Sequence, residues 1–139
     1  QHQKVLEVLE FLEILELKDK KVHQMSTGQL RRCIIGRALI HDPKAFILDE
    51  PTVGLDIKSQ HSFIKLIQKL SKSASIIIVT HHIEEIFEEI THVALIHNKT
   101  IFKQGKKEDI LTSKNLSEIF EIDIDLQKEN ARYYIKSIK

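Results

Sequence analysis

The stretch Phe46-Ile47-Leu48-Asp49-Glu50-Pro51 decides the fold, because a short apolar run there ends in two adjacent carboxylates. The run follows Pro43 and predicts a β-strand that is buried on both faces, with Asp49 and Glu50 at its carboxyl end. A carboxylate in that place can hold Mg²⁺ through its water shell, and a neighbouring carboxylate can orient and deprotonate a water. A strand that ends in a solvated acidic turn is the alternative interpretation of this pattern alone.

A strand–helix–strand unit extends outward from this stretch. Residues 57–70 carry apolar side chains at helical spacing, and residues 76–79 form a second apolar, β-branched run that also predicts a fully buried strand. Such a unit is normally a right-handed crossover between parallel strands, so the carboxyl ends of both strands meet at one edge of the sheet. We therefore expect His81, just after the second run, to lie near Asp49 and Glu50.

The rest of the chain alternates between helical and extended patterns. An amphipathic helix is predicted over 5–17, and a second helix begins after Ser26 and closes at Pro43. A short acidic helix is predicted at 83–90, followed by a hairpin at 93–102 that Gly105 closes off. Two helical stretches at 107–111 and 116–120 then lead to a small terminal hairpin at 122–135. The fold class is α/β, with a mainly parallel sheet.

Composition excludes several classes of protein. The chain has 139 residues with 21 Lys and Arg against 20 Asp and Glu, so the net charge of +1 provides no basic field for coating nucleic acid. No run approaches the ~18 apolar residues that a membrane-spanning helix needs. The single cysteine, Cys33, is compatible with a reducing cytoplasm.

Two further groups could meet a phosphate, and one more carboxylate stands between them in the sequence. Ser26-Thr27-Gly28-Gln29 starts a helix, where backbone N–H groups and the dipole favour an anion. Asp56 follows Gly54-Leu55, and His81 follows the second strand. The plainer interpretations are N-caps for Ser26 and Asp56. His81 and His82 do not predict a metal site, because consecutive residues on a strand point to opposite faces.

In this order, the motifs resemble the second half of the nucleotide-binding domain of ABC-type ATPases. Met25-Ser26-Thr27-Gly28-Gln29, here named the signature segment, is similar to the family signature. Leu48-Asp49-Glu50-Pro51 resembles the Walker B strand with its glutamate, Gly54-Leu55-Asp56 the D-loop, and Thr80-His81 the switch histidine. The resemblance runs from about Val5 to Gly105.

The resemblance implies a role for each matching residue. Asp49 would help to hold Mg²⁺, Glu50 would be the general base for the attacking water, and His81 would contact the γ-phosphate of ATP. The signature segment, with Ser26, Thr27, Gly28 and Gln29, would close as a lid over ATP that a second nucleotide-binding domain holds, which implies a homodimer. Asp56 would couple the two sites.

Two residues of the signature segment depart from the family pattern, and one motif is absent. Met25 stands in place of a leucine, and Thr27 replaces a glycine that lets backbone approach phosphate closely. The Gly-x-x-x-x-Gly-Lys-Ser/Thr cradle for phosphate does not occur in the sequence. We expect truncation to explain this, so that residues 1–139 form one partial P-loop NTPase domain. Its parts would be a helical signature region at 1–42, a core at 43–105 and C-terminal helices with a hairpin at 106–139.

The resemblance implies an ATP-binding and ATP-hydrolysing subunit of an ABC transporter. It would sit peripherally on the cytoplasmic face of the cell membrane, paired with permease subunits and without nucleic acid as a partner. The end of the chain, residues 106–139, resembles those of importers of metals or metal complexes. Two alternatives stay open: a non-transport ABC ATPase that acts on nucleic acid or the ribosome, and a non-catalytic half-domain.

Overall fold

The computed structural model describes residues 2–139, which form two compact units. The first unit ends at Val79, and the second unit runs from Thr80 to Lys139. The division into segments 1–42, 43–105 and 106–139 stays a prediction. Within residues 2–139, no helix is long and apolar enough to cross a membrane.

The first unit contains the predicted strand–helix–strand crossover. Its elements are α1 (His2–Phe11), α2 (Thr27–Leu39), β1 (Ala45–Asp49), α3 (Ile57–Leu70) and β2 (Ser75–Val79). Strands β1 and β2 pair in parallel from Ala45 opposite Ser75 to Asp49 opposite Val79. The parallel pairing confirms the crossover, which places the strand ends at one edge of the sheet.

The prediction that both strands are buried on both faces is wrong for the first unit. Phe46 is buried, but Ile47 is 73% exposed and Ile77 is 52% exposed. Side chains alternate along a strand, so one face of the two-stranded sheet is covered and the other is open. The runs are apolar on both faces of the sheet, but nothing among the described residues covers the face that carries Ile47 and Ile77.

Helix α1 ends earlier than the apolar periodicity predicts. The Ile14 N–H donates to the Leu9 carbonyl and the Glu13 N–H donates to the Glu10 carbonyl, each at 2.9 Å. Glu13 has a φ of 57°, so these bonds form a Schellman motif with glutamate in the left-handed position that glycine usually takes. The motif turns the chain inward, and both Leu12 and Ile14 are buried. A short 3₁₀ turn at Leu15–Leu17 replaces the rest of the predicted helix.

The second unit is built from two antiparallel hairpins and two short helices. Its elements are β3 (His92–His97), β4 (Thr100–Lys106), α4 (Lys107–Ile110), α5 (Ser113–Phe120), β5 (Ile124–Glu129) and β6 (Arg132–Ile138). The core is one cluster of buried side chains from most of these elements, namely Leu95, Ile110, Leu111, Leu116, Ile124 and Tyr133.

Two details of the second unit correct the sequence predictions. Only a 3₁₀ turn, Ile83–Glu85, forms where a helix over 83–90 is predicted. Gly105 lies inside β4, opposite Val93, and does not close off the hairpin. The helix predicted at 83–90 is rich in glutamate. Negative charge stabilises a helix only near its N-terminus, so Glu84 and Glu85 favour the first turn and not a longer helix.

Candidate nucleotide-hydrolysis site

Asp49 and Glu50 lie where β1 ends. Asp49 is the last residue of the strand and pairs with Val79, and its side chain is exposed. The Glu50 N–H continues the ladder by donating to the Val79 carbonyl at 2.8 Å. Glu50 then takes a φ of 42°, which reverses the chain out of the sheet and costs a non-glycine residue ~1–2 kcal/mol. The two carboxylates therefore leave the sheet from different backbone conformations.

Two overlapping turns carry the chain from Glu50 to α3. The Val53 N–H donates to the Glu50 carbonyl at 3.3 Å, and the Leu55 N–H donates to the Thr52 carbonyl at 3.1 Å. Pro51 suits the second position of the first turn because its ring fixes φ. Gly54 has a φ of 77°, a conformation that glycine adopts without steric cost. The segment that resembles the D-loop, Gly54-Leu55-Asp56, thus begins inside the second of these turns.

Asp56 caps the start of α3. Its carboxylate accepts hydrogen bonds from the Ser59 N–H at 2.9 Å and from the Ser59 hydroxyl at 2.7 Å. These bonds, led by the one from the hydroxyl, lower the pKa of the Asp56 carboxyl below its ordinary value. The cap interpretation is therefore correct for the structure of this unit, and a coupling role for Asp56 stays a prediction.

The signature segment forms a capping box at the start of α2. The Ser26 hydroxyl oxygen accepts from the Gln29 N–H at 3.2 Å, and the Gln29 side chain accepts from the Ser26 N–H at 3.0 Å. Among residues 2–139, nothing accepts a hydrogen bond from the N–H groups of Thr27 and Gly28. The Ser26 hydroxyl proton also remains available for donation. This helix start can thus offer three donors to an anion.

Gly28 lies where the start of α2 comes next to the start of α3. A Cβ atom at Gly28 would lie 3.7 Å from Leu55 Cδ2 and 3.9 Å from Ser59, which are ordinary contacts. Packing in this unit therefore does not require glycine at position 28. At Gly36, further along α2, a Cβ atom would lie 2.8 Å from Leu12 Cδ1, so this glycine serves close helix packing.

The sequence patterns assign no role to the two arginines that follow the signature segment. The Arg31 guanidinium donates to the backbone carbonyls of Glu50, Pro51 and Val53. Arg32 donates to the Leu12 carbonyl at 2.6 Å. Arg31 lies three residues after Gly28 and so shares its helix face. This spacing is the sequence signal that could have placed Arg31 near the turn after Glu50.

His81 belongs to the second unit and follows β2 by two residues. Its side chain is exposed, and its ring lies 4.1 Å from the His82 ring, centroid to centroid, with the planes tilted by 35°. The expectation that the two histidines point to opposite faces is wrong, because both come after the strand has ended. The His82 N–H donates to the Thr80 hydroxyl at 2.9 Å, which sets the turn that brings the rings together.

The structure thus gathers most of the predicted site residues in the first unit. The signature segment lies beside the start of α3 through Gly28, and Arg31 links the same helix to the turn after Glu50. The exposed Asp49 carboxylate is a suitable oxygen ligand for Mg²⁺, which in proteins commonly takes one or two carboxylates together with waters and phosphate oxygens. The individual roles of these residues are proposals.

Comparisons with known proteins agree with the motifs. Residues 1–53 match the family model described as ABC transporter. The chain is 34% identical over 105 residues to the energy-coupling factor transporter ATP-binding protein EcfA2 of Bacillus cereus, an alignment that covers 74% of this chain and 35% of that protein. An ABC transporter ATP-binding protein of Streptococcus mutans is 33% identical over 116 residues, which cover 81% of this chain and 45% of the relative.

Solved structures give the same result. An inward-facing ABC transporter, described as being of the metal-chelate type, shares 25% identity with a TM-score of 0.84 and covers 96% of this chain and 55% of that chain. The structure of cbiO1 from Clostridium perfringens, part of the ABC transporter complex cbiONQ, shares 32% identity with a TM-score of 0.72. That alignment covers 84% of this chain and 47% of cbiO1. The α/β fold class, as part of a P-loop NTPase domain, is confirmed.

The chain spans about half the length, or less, of the relatives that it matches. The family that the motifs resemble is confirmed by relatives named as ABC transporter ATP-binding proteins. The chain belongs to the ABC transporter ATP-binding family, and it corresponds to a part of the ATPase domain of those proteins.

Proposed function

We propose that the chain supplies the hydrolytic carboxylates and the lid of an ATP-hydrolysing subunit of an ABC transporter. The observation that carries the proposal is the pairing of two features in one unit. Asp49 and Glu50 end a parallel strand and α2 begins with three donors, so each subunit of a dimer would bring its carboxylates to one ATP and its lid to the other. Hydrolysis of a phosphoanhydride needs a metal ligand, a base for water and donors for the phosphate oxygens.

Each group has a distinct task in this proposal. The exposed Asp49 carboxylate would hold Mg²⁺, which neutralises charge on the phosphates when it is bound. Glu50, turned out of the ladder by its positive φ, would orient a water and accept its proton. His81 would contact the γ-phosphate of ATP.

The lid would be formed by residues 26–29. The free N–H groups of Thr27 and Gly28 and the Ser26 hydroxyl proton would donate to phosphate oxygens, while Gln29 holds Ser26 in place through the capping box. As the family resemblance implies, a second nucleotide-binding domain would hold the ATP that this lid covers. A homodimer of the complete subunit, with Asp56 coupling the two sites, satisfies this requirement.

The relatives support a wider proposal on partners, location and transport. EcfA2 is named as a transporter ATP-binding protein and cbiO1 as part of an ABC transporter complex. We propose transmembrane permease subunits as partners and a peripheral position on the cytoplasmic face of the membrane. Import of a metal or metal complex is supported by the likeness to the metal-chelate type transporter over 96% of this chain.

The test is the ATPase activity of the complete subunit with Glu50→Gln. The amide keeps the size of the side chain but cannot accept the proton, so the rate of ATP hydrolysis should fall by roughly 10²- to 10⁴-fold while Mg-ATP binding persists. Glu118→Gln, an exposed glutamate on α5, is the matched control and should keep full activity. Wild-type turnover by Glu50→Gln would contradict the proposal.

A further inference from the structure

Arg31 bridges α2 and the turn that follows Glu50. Its half-buried guanidinium donates to three backbone carbonyls, at 3.4 Å to Glu50 and in closer contact to Pro51 and Val53. Guanidinium is a rigid planar fork with five donors, so one side chain can bind several acceptors at fixed angles. A lysine at this position could not reproduce that arrangement.

The three carbonyls belong to a backbone segment that needs support. Glu50 has a φ of 42°, which costs ~1–2 kcal/mol for a residue with a side chain. Pro51 has no N–H to donate, and the Val53 N–H donates to the Glu50 carbonyl at 3.3 Å to close the turn. Arg31 binds that same carbonyl and the next one along the chain.

Both peptide groups that flank Glu50 are therefore held from outside the turn. The N–H on the amino side donates to the Val79 carbonyl at 2.8 Å, and the carbonyl on the other side accepts from Arg31. Fixing both peptide planes fixes the direction in which the Cα–Cβ bond of Glu50 leaves the backbone. The neighbouring arginine has a different task, since Arg32 binds the Leu12 carbonyl and the Glu13 carboxylate.

We propose that Arg31 is a positioning residue for the Glu50 carboxylate. It acts on the backbone of Glu50, and it connects that backbone to the helix that begins with the signature segment. The inference rests on the proposed function, because it requires Glu50 to be the base. A displacement of a base by about 1 Å can cost about 10²-fold in rate, so loss of Arg31 should affect turnover and leave nucleotide binding nearly unchanged.

The experiment compares Arg31→Met, Arg31→Lys and Arg37→Met in the complete subunit. Arg37 is an exposed arginine on the same helix and controls for the lost charge. We expect Arg31→Met to lower kcat by roughly 10- to 100-fold with KM for Mg-ATP changed less than about twofold. Arg31→Lys should give an intermediate kcat, and Arg37→Met should match the wild type. If Arg31→Met does not fold, the lysine variant provides the same comparison.

A double substitution separates positioning from a merely structural role. If Arg31 acts through Glu50, adding Arg31→Met to Glu50→Gln should lower the residual single-turnover rate no further, whereas a structural role would lower it again. A wild-type kcat in folded Arg31→Met, or a further drop of equal size in the Glu50→Gln background, overturns the inference. Full activity of Glu50→Gln alone would instead overturn the proposed function.

Discussion

The two units of the chain use their apolar residues in different ways. In the second unit, six buried side chains from the hairpins and short helices form one core cluster, and further apolar residues pack against it. In the first unit, the strand pair leaves Ile47, Ile77 and Val79 about half exposed or more. The same unit carries the signature segment and both carboxylates of the proposed site. The open apolar face and the candidate chemistry thus occur together in the first unit.

This difference teaches how to interpret an apolar run. The runs at 45–48 and 76–79 look alike in sequence and predict full burial, yet half of their side chains are exposed in the structure. Large exposed apolar patches are rare on isolated soluble proteins and commonly mark surfaces that pack against further protein. The core of the second unit carries no such indication.

The largest expected effect contrasts Leu116 with Ile47. Leu116 is 1% exposed, so Leu116→Ala should lower the free energy of unfolding of the second unit by about 2–5 kcal/mol, because it leaves a cavity. Ile47→Ala in the same 139-residue chain should cost less than about 1 kcal/mol, since its side chain is 73% exposed. Urea unfolding of both variants provides the measurement.

The same pair of variants in the complete subunit sharpens the contrast. There we expect Ile47→Ala to become as costly as a core substitution, because the remainder of the ATPase domain would cover the open sheet face. An equal cost for Ile47→Ala in the 139-residue chain would show that the face is already covered, and the comparison of the two units would fail.

The elements that the sequence predicts well are those with two agreeing local signals. Helix α3 runs over Ile57–Leu70 as its apolar spacing indicates, with Asp56 as its cap, and α2 begins after Ser26. Helix α1 stops at Phe11, where a Schellman turn buries Leu12 and Ile14. Glu13 takes the left-handed position of this turn, so the sequence lacks the glycine that usually predicts it. Here tertiary packing overrides helical periodicity.

The candidate site was only partly predictable for a similar reason. The identity of Asp49, Glu50 and the signature segment follows from local patterns. The carbonyls of Glu50, Pro51 and Val53, which accept from Arg31, lie 19 or more positions away from it, and no sequence pattern identifies a backbone carbonyl as an acceptor. The open sheet face likewise depends on partners that a single pattern of apolar residues does not specify.

A prediction of intermediate size contrasts two glycines of α2. Gly28→Ala should leave the subunit as stable or stabilise it by about 0.5–1 kcal/mol, because a Cβ atom fits and alanine favours helix. It should nevertheless lower ATP hydrolysis, since the new methyl group would separate the helix start from phosphate. Gly36→Ala should destabilise by about 1–3 kcal/mol through its clash with Leu12.

Thermal unfolding and ATPase assays on both variants of the complete subunit test this contrast. The expected pattern is loss of activity without loss of stability at position 28, and loss of stability at position 36. An inactive but destabilised Gly28→Ala protein would instead assign this glycine to packing.

The smallest expected effect concerns the turn at the end of α1. The pKa of Glu13 lies below its ordinary value, mainly because Lys69 donates a hydrogen bond of 2.8 Å to its carboxylate, with help from Arg32. A lowered folded pKa means that this stabilisation is present above the ordinary glutamate range near about 4.3 and is lost as pH falls through the folded value. Exposed pairs contribute only ~0.2–1 kcal/mol.

Glu13→Gln should therefore lower the free energy of unfolding slightly at pH 7, and this difference should shrink as pH falls through the folded pKa of Glu13. Both proteins keep a side chain at the strained φ, so the difference reports on the ion pairs. A difference that grows towards acid would contradict the assigned sign.

Titration of the 139-residue chain with Mg-ATP tests most directly the claim that it supplies a base and a lid but no phosphate cradle. The sequence has no Gly-x-x-x-x-Gly-Lys-Ser/Thr segment, so isothermal titration should give a dissociation constant of about millimolar order or weaker. The complete subunit, measured alongside, should bind far more tightly. Micromolar affinity for Mg-ATP of the 139-residue chain as a clean monomer would contradict the claim that the chain lacks the main phosphate-binding segment.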